Sequence, residues 1–294
     1  TSEVMVKKDD GTVDMVVTHW EEYHHPNGTI GDACLLDDDP KTPACGRNPY
    51  PVSHALLASN IMNEYFLDPT DGYDGHTDWV LTFPMKKHGI HASMCWGAGK
   101  GILEGWNDLK LHEELIADYL RVIPLVAEAG YKNLICFSGN RNGMDDQEGL
   151  KNCAEGLKKI MPAAEEHGVI IQMELLNSKV DHKDYMCDHT SWGVELCKAI
   201  GSDNFKLLYD IYHMQIMEGD VIRNIQDYNQ YFGHYHTGGN PGRHEINDTQ
   251  ELFYPAIMKA ILATGYKGYV AQEFIPTWED PIAALKEGIA ICDV

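Results

Sequence analysis

Four short segments in the C-terminal half of the chain each end in a residue that binds hard metal ions. They are Ile170-Ile171-Gln172-Met173-Glu174, Lys206-Leu207-Leu208-Tyr209-Asp210, Phe232-Gly233-His234-Tyr235-His236 and Tyr269-Val270-Ala271-Gln272-Glu273. Each reads as a buried strand with a polar residue at its C-terminal end, and the ends recur roughly every 25–40 residues, the length of a βα unit. Taken singly, Glu174, Asp210 and Glu273 read as solvated loop carboxylates, and His236 as a core histidine with a satisfied hydrogen bond. The joint pattern changes the reading. Adjacent parallel strands would bring all four to one rim, where three carboxylates repel one another unless a divalent cation joins them. One divalent ion per chain is therefore expected, held by Glu174, Asp210, His236 and Glu273. Three oxygens and one nitrogen suit Mn²⁺, Mg²⁺ or Co²⁺ better than Zn²⁺, which in structural sites prefers Cys and His.

Such an ion polarises a carbonyl and the hydroxyl beside it, which makes the intervening C–H acidic. Glu174 and Glu273, on opposite sides of a substrate, could then withdraw and deliver protons through an enediolate. Two further residues are candidates for touching substrate. His213 lies three positions after Asp210 and reads equally as a hydrogen-bonding imidazole over the site or as a histidine at a helix start. Arg243 closes the glycine-rich stretch Thr237-Gly238-Gly239-Asn240-Pro241-Gly242-Arg243. There it is either a clamp for a carboxylate or vicinal diol, or a surface residue. Arg141, in Ser138-Gly139-Asn140-Arg141-Asn142-Gly143, is a second candidate clamp on a loop that fits neither a Walker nor a dinucleotide fingerprint. Trp96 is either a pocket wall or core packing.

The elements that must position these groups alternate between strand and helix from Gly89 onward. Strands are expected at His91–Trp96 and Asn133–Phe137, and helices at Leu109–Glu128 and Gly149–Glu166, the latter stopped by His167-Gly168. Further helices are expected near Ser191–Ile200, Val221–Asn229, Glu251–Thr264 and Pro281–Cys292. Short connections between alternating elements favour a parallel sheet with right-handed crossovers. The fold class is α/β, a (β/α)8 TIM barrel in a single domain over residues 1–294. Within it, Val13–His19 is expected as the first strand, Glu21–Pro51 as a long inserted loop, Ser53–Phe66 as a helix and Asp78–Phe83 as the second strand.

The chain has 294 residues, 44% of them hydrophobic, enough for a large core. Its formal charge of −22 argues against nucleic acid or an anionic membrane surface as partner. No apolar run reaches the roughly 18 residues of a membrane-spanning helix. A cytoplasmic location is expected, with export after removal of an N-terminal signal as the alternative, since the chain begins at Thr1. The eight cysteines follow no zinc spacing. Cys95, Cys136, Cys153, Cys187, Cys197 and Cys292 lie in apolar or helical contexts and are expected to pack as small hydrophobes. Cys34 and Cys45 flank an Asp- and Pro-rich loop and would pair in an exported protein.

At this level the chain resembles the xylose isomerase-like TIM-barrel superfamily, in its hydroxypyruvate isomerase and ketose 3-epimerase branches. The resemblance runs from about Trp79 to Val294. It rests on Met173-Glu174-Leu175-Leu176-Asn177, Tyr209-Asp210-Ile211-Tyr212-His213-Met214, Gly233-His234-Tyr235-His236-Thr237-Gly238 and Ala271-Gln272-Glu273-Phe274. By that likeness Glu174, Asp210, His236 and Glu273 are the metal ligands, Glu174 and Glu273 double as the acid/base pair, and His213 and Arg243 touch substrate. Pro241-Gly242-Arg243-His244-Glu245 resembles the hydroxypyruvate isomerase loop, whereas His236 matches the epimerases. The epimerase pattern after the first Glu is replaced here by Asn177-Ser178-Lys179-Val180. The implied activity is conversion of hydroxypyruvate to tartronate semialdehyde by a metal-dependent isomerase acting on a small hydroxy-carbonyl or sugar substrate. The alternatives are a ketose 3-epimerase, or a keto-sugar lyase or dehydratase on the same metal site. A phosphodiesterase of the AP-endonuclease type would need more histidine ligands and a basic face, and a non-catalytic sugar-binding barrel would not need two glutamates. Family likeness also implies a homo-oligomer.

Overall fold

The computed structural model describes residues 2–7, 13–18, 20–24, 30–35, 46–47, 91–96 and 98–294. The chain divides into two units, Thr1–His91 and Ala92–Val294. In the first, β1 (Ser2–Lys7) pairs antiparallel with β2 (Val13–Thr18). A second small sheet joins β3 (Trp20–His24) to β4 (Ile30–Leu35) and β5 (Gly46–Arg47), also antiparallel, with a bulge between Glu22 and Tyr23. Two expectations change here. Val13–His19 does contain a strand, but its partner is Ser2–Lys7 rather than a parallel barrel neighbour. The stretch Glu21–Pro51, read as a loop from its Pro, Gly and Asp content, contains strand segments; cross-strand pairing overrides local propensity. Ser53–Phe66, Asp78–Phe83 and the side chains of Cys34 and Cys45 lie outside the described residues.

The second unit carries the site. Five strands, β6 (Asn133–Cys136), β7 (Ile170–Glu174), β8 (Phe205–Asp210), β9 (Phe232–Thr237) and β10 (Val270–Gln272), lie side by side in chain order, all parallel. The expected strand at His91–Trp96 is reduced to a single parallel bridge, Cys95 to Leu134. Between the strands run α1 (His112–Glu128), α2 (Asp146–Leu157), α3 (Met161–His167), α4 (Thr190–Ile200), α5 (Ile211–Met217), α6 (Val221–Tyr228) and α7 (Tyr254–Ala263), and α8 (Pro281–Cys292) closes the chain. The single helix expected over Gly149–Glu166 is two. Pro162, in the first turn of α3, has no N–H to continue α2, so the helix restarts there. Gly168 stops α3 in the left-handed conformation, φ 66°, where glycine carries no steric cost.

Helices cover one face of this sheet. Leu134, Cys136, Ile171, Met173, Leu207, Tyr209 and Tyr235 are buried, together with Leu115, Tyr119, Val122, Ile123 and Val126 of α1. The six described free cysteines fit this picture: five are buried, Cys292 is half-buried, and burial raises the thiol pKa of each. No described helix is long and apolar enough to cross a membrane.

One ion-pair network fastens the loops at the strands' C-terminal ends. Arg141 Nη2 and Nη1 donate to the two oxygens of Asp188 at 3.0 and 3.2 Å, and its Nε donates to Asp146 at 2.7 Å. The same guanidinium donates to the carbonyls of Tyr185 and Met186. Asp188 also accepts from Ser178 Oγ at 2.5 Å and pairs with His189 at 2.8 Å. Removing a buried carboxylate strands its partners, so Asp188→Ala should lower stability by about 3 kcal/mol, read as a drop in the urea midpoint at constant slope. A change under about 0.5 kcal/mol, the level of an exposed pair, would show that the network contributes nothing to the fold.

Candidate metal centre

Sheet register alone puts the four candidate ligands on one face. Glu174 lies opposite Leu208, two residues before Asp210 and therefore on the same side of β8. Asp210 lies opposite His236, and His236 opposite Ala271, two residues before Glu273. All four occupy the C-terminal ends of neighbouring parallel strands. Each offers one ligand atom, and these atoms lie within 4.8 Å of one another. His236 Nδ1 is central, 2.8 Å from Glu273 Oε2, 3.4 Å from Glu174 Oε1 and 3.8 Å from Asp210 Oδ2. Glu174, Asp210 and His236 are buried. Tyr185 fixes the end of β7 by donating its hydroxyl to the Glu174 carbonyl at 2.9 Å.

The donor set fits a divalent ion. Asp210 uses Oδ1 to accept the His213 backbone N–H at 3.0 Å, capping α5, while its Oδ2 is buried with no hydrogen-bond partner. His236 Nδ1 is likewise buried without a well-aligned hydrogen bond. A buried carboxylate oxygen left without a donor calls for an explanation, and a cation shared by the four side chains would supply one. Among the described residues this is the only cluster that could hold a metal ion.

The electrostatics show the strain of packing these charges together. Burial, reinforced by the charge of Glu273, pushes Asp210 up to about 8, and burial also raises Glu174. Burial would lower His236, but the Glu273 carboxylate outweighs it and lifts the imidazole to about 10. Glu273 goes the other way. Burial opposes its charge, yet His236 and Arg243 hold it well below the ordinary carboxylate range.

Arg243 reaches this cluster from the loop after β9. Its Nη2 donates to Glu273 Oε2 at 2.6 Å and lies 3.9 Å from Asp210 Oδ2, with the guanidinium 5.7 Å from the Tyr212 ring centroid. The loop reaches inward because Gly242 and Arg243 both take positive φ, 97° and 59°, and because a side chain at Gly239 would come within 2.2 Å of the Glu245 carbonyl. Glu245 ties the same loop to the one after β10, accepting the Thr277 and Trp278 backbone N–H groups at 2.6 and 3.1 Å. His213 is wholly buried in α5, its Nε2 3.7 Å from Asp210 Oδ2, and burial holds its pKa well below the ordinary value.

Of the other candidates, Arg141 is committed to the Asp188 network rather than to this cluster, so it is a brace and not a second clamp. Trp96 packs on Phe137 with ring centroids 5.2 Å apart. Sequence reasoning passed over His234. It is fully buried, neither ring nitrogen has a hydrogen-bond partner, and its ring stands edge-on to His236 at 5.0 Å. The signal was available, since two residues before a site residue in a strand is the same face. Asn177, Asp181 and Tyr212 were also overlooked, because their contacts join separate loops.

Residues 84–293 match the family model described as xylose isomerase-like TIM barrel. The chain belongs to this family. The five parallel strands are accordingly part of a TIM barrel, with the cluster at the end where such barrels keep their sites. The 2-oxo-tetronate isomerase of Cupriavidus necator is 34% identical over 122 residues, 42% of this chain and 46% of that protein. The hydroxypyruvate isomerase of Escherichia coli is 27% identical over 228 residues, 74% of this chain and 86% of that protein. The chain spans less than half the length of the first curated relatives it matches. Among solved structures, a 3-keto-D-glucoside 4-epimerase from E. coli superposes with a TM-score of 0.65 at 18% identity, over 82% of this chain and 94% of that one, which is a likeness of fold.

Ion binding should be linked to protons with a definite sign. With Asp210 raised to about 8 and His236 to about 10, an ion taken up by these side chains would displace protons from them. Mn²⁺ affinity should therefore rise as pH increases from 6 to 9, with proton release visible by calorimetry in buffers of different ionisation enthalpy. Affinity independent of pH over that range would contradict the assigned ligand set.

Proposed function

We propose that the protein is a divalent-metal-dependent isomerase of a small hydroxy-carbonyl compound, with hydroxypyruvate, interconverted with tartronate semialdehyde, as the leading substrate. The observation that carries the reading is the convergence of Glu174, Asp210, His236 and Glu273 on one point, with Arg243 against Glu273. Charge counting supports it. Three carboxylates against one guanidinium leave an excess negative charge that a divalent ion neutralises in a buried place. The names of the matched relatives, hydroxypyruvate isomerase and 2-oxo-tetronate isomerase, point to the same chemistry.

The ion, when bound, supplies Lewis acidity to a carbonyl and its neighbouring hydroxyl. Mn²⁺, Mg²⁺ and Co²⁺ are the candidates the oxygen-rich donor set favours. The protein's own residues do the rest. Glu174 and Glu273 come from β7 and the end of β10, with β8 and β9 between them, so they flank the site from two sides. One removes the proton beside the carbonyl and the other carries a proton on the opposite side. Arg243 and His213 present N–H groups to substrate oxygens, where negative charge grows as the proton leaves. The loop containing Arg243 suits an anionic keto acid, since a guanidinium can grip its carboxylate.

A second reading, epimerisation at C3 of a free ketose, uses the same proton abstraction. His236 favours it, being the residue type by which the chain resembles the epimerase branch at that position. Proton NMR in D₂O with Mg²⁺, Mn²⁺ or Co²⁺ decides between them, using hydroxypyruvate, tetruloses and hexuloses as a panel. Deuterium should enter hydroxypyruvate, and Glu174→Gln and Glu273→Gln should each slow incorporation by at least about 100-fold. Exchange confined to ketoses would install the epimerase instead. No exchange into any carbonyl compound would end the isomerase reading.

A further inference from the structure

We propose that Asn177 is a positioning residue that fixes His213 as a neutral Nε2–H donor facing the metal centre, an inference that rests on the isomerase reading for its catalytic consequence but not for its structural one. Asn177 lies three residues past Glu174 on the loop after β7 and is wholly buried. The orientation of its amide is decided by the backbone. Oδ1 accepts the N–H groups of Val180 at 3.0 Å and Asp181 at 2.9 Å, and only an oxygen can do so. Nδ2 is therefore the amino group, with two protons to give. One goes to Asp181 Oδ2 at 2.6 Å and the other to His213 Nδ1, also at 2.6 Å.

A nitrogen that accepts a hydrogen bond carries no proton. His213 must therefore be the tautomer with its proton on Nε2, because protonating Nδ1 would set N–H against N–H at 2.6 Å. Nε2 is buried without a hydrogen-bond partner, and its nearest acidic atom is Asp210 Oδ2 at 3.7 Å, beyond hydrogen-bond range. That oxygen is also the one left over after Asp210 caps α5. The free N–H therefore stands beside the place where a substrate oxygen would meet the ion. Held this way, His213 gives a hydrogen bond to an oxygen that gains charge and takes no part in moving the proton itself. A neutral donor of fixed tautomer stabilises such charge without repelling the ion next to it.

The same brace reaches the second substrate-facing group. Asp181 Oδ2 also accepts the Tyr212 hydroxyl at 2.8 Å, and the Tyr212 ring is the one against which the Arg243 guanidinium lies. Asn177 and Asp181 thus link the loop after β7 to α5 and, through Tyr212, to the loop after β9. A sequence search for catalytic residues skips them because neither touches the ligand cluster.

The experiment is a two-bond ¹⁵N–¹H spectrum of uniformly labelled full-length protein in Mg²⁺, with the His213 signals identified by their loss in His213→Asn. The expected spectrum shows an acceptor-type Nδ1 and a protonated Nε2. A protonated Nδ1 in the unsubstituted protein would overturn the proposal without any variant. Asn177→Asp puts a carboxylate oxygen opposite Nδ1 and should move the proton there; the double variant N177D/D181N makes the same test at unchanged net charge. In both, turnover of whichever panel compound exchanges should fall about 100-fold in kcat. KM and Mn²⁺ affinity should stay within about threefold, the mark of a group acting in the transition state rather than in binding. Retention of the Nε2–H form in these variants would refute the brace, and a tautomer shift with unchanged kcat would refute its role in catalysis. If no compound in the panel exchanges, the isomerase reading fails while the spectrum still decides the tautomer.

Discussion

Three carboxylates cannot share a buried point with an imidazole and a guanidinium unless something balances them, and the surrounding structure is arranged around that fact. The charges within the cluster show the imbalance. Asp210 and Glu174 are driven toward their protonated forms by burial, while Glu273 stays charged only because His236 and Arg243 stand beside it. A divalent cation held there would replace these stop-gap proton pairings with direct ligation. It would also give the buried Asp210 Oδ2 the partner that polar atoms in such a place normally have.

The barrel brings the four candidate ligands together by register, and the loops hold them by hydrogen bonds. Parallel pairing places Glu174, Asp210, His236 and Glu273 on one face, since residues two apart in a strand share a side. The loops then divide the work. Arg141 and Asp188 fasten the segments after β6 and β7, Glu245 fastens the loops after β9 and β10, and Asn177 and Asp181 tie the loop after β7 to α5. Each tie uses a buried or half-buried polar group with several partners, which favours one arrangement over many.

The four converging side chains were legible because the strand pattern has period two and ends in a polar residue four times over. Helices with clear stop signals were equally readable: the end of α3 at Gly168 and the start of α8 at Pro281 fall where Gly and Pro place them. Other features depended on what the chain meets in space. The break between α2 and α3 turns on Pro162, whose effect on a helix is local but was outweighed by the amphipathic pattern around it. Strands within Glu21–Pro51 depend on cross-strand partners that propensity does not name. Arg141 and Arg243 sit in similar Gly- and Asn-rich loops, and only the carboxylate each one reaches tells a brace from a clamp. Asn177 was visible within a family-like motif, yet its role follows from which of its amide atoms faces His213.

Crystals of the protein soaked in Mn²⁺, with anomalous data collected at the manganese edge, decide whether these four side chains share one ion. One strong peak is expected within about 2.0–2.3 Å of an oxygen each from Glu174, Asp210 and Glu273 and of His236 Nδ1. Saturating Mn²⁺ with no peak among these four side chains, or a peak held by other residues while they stay paired with one another, would contradict it.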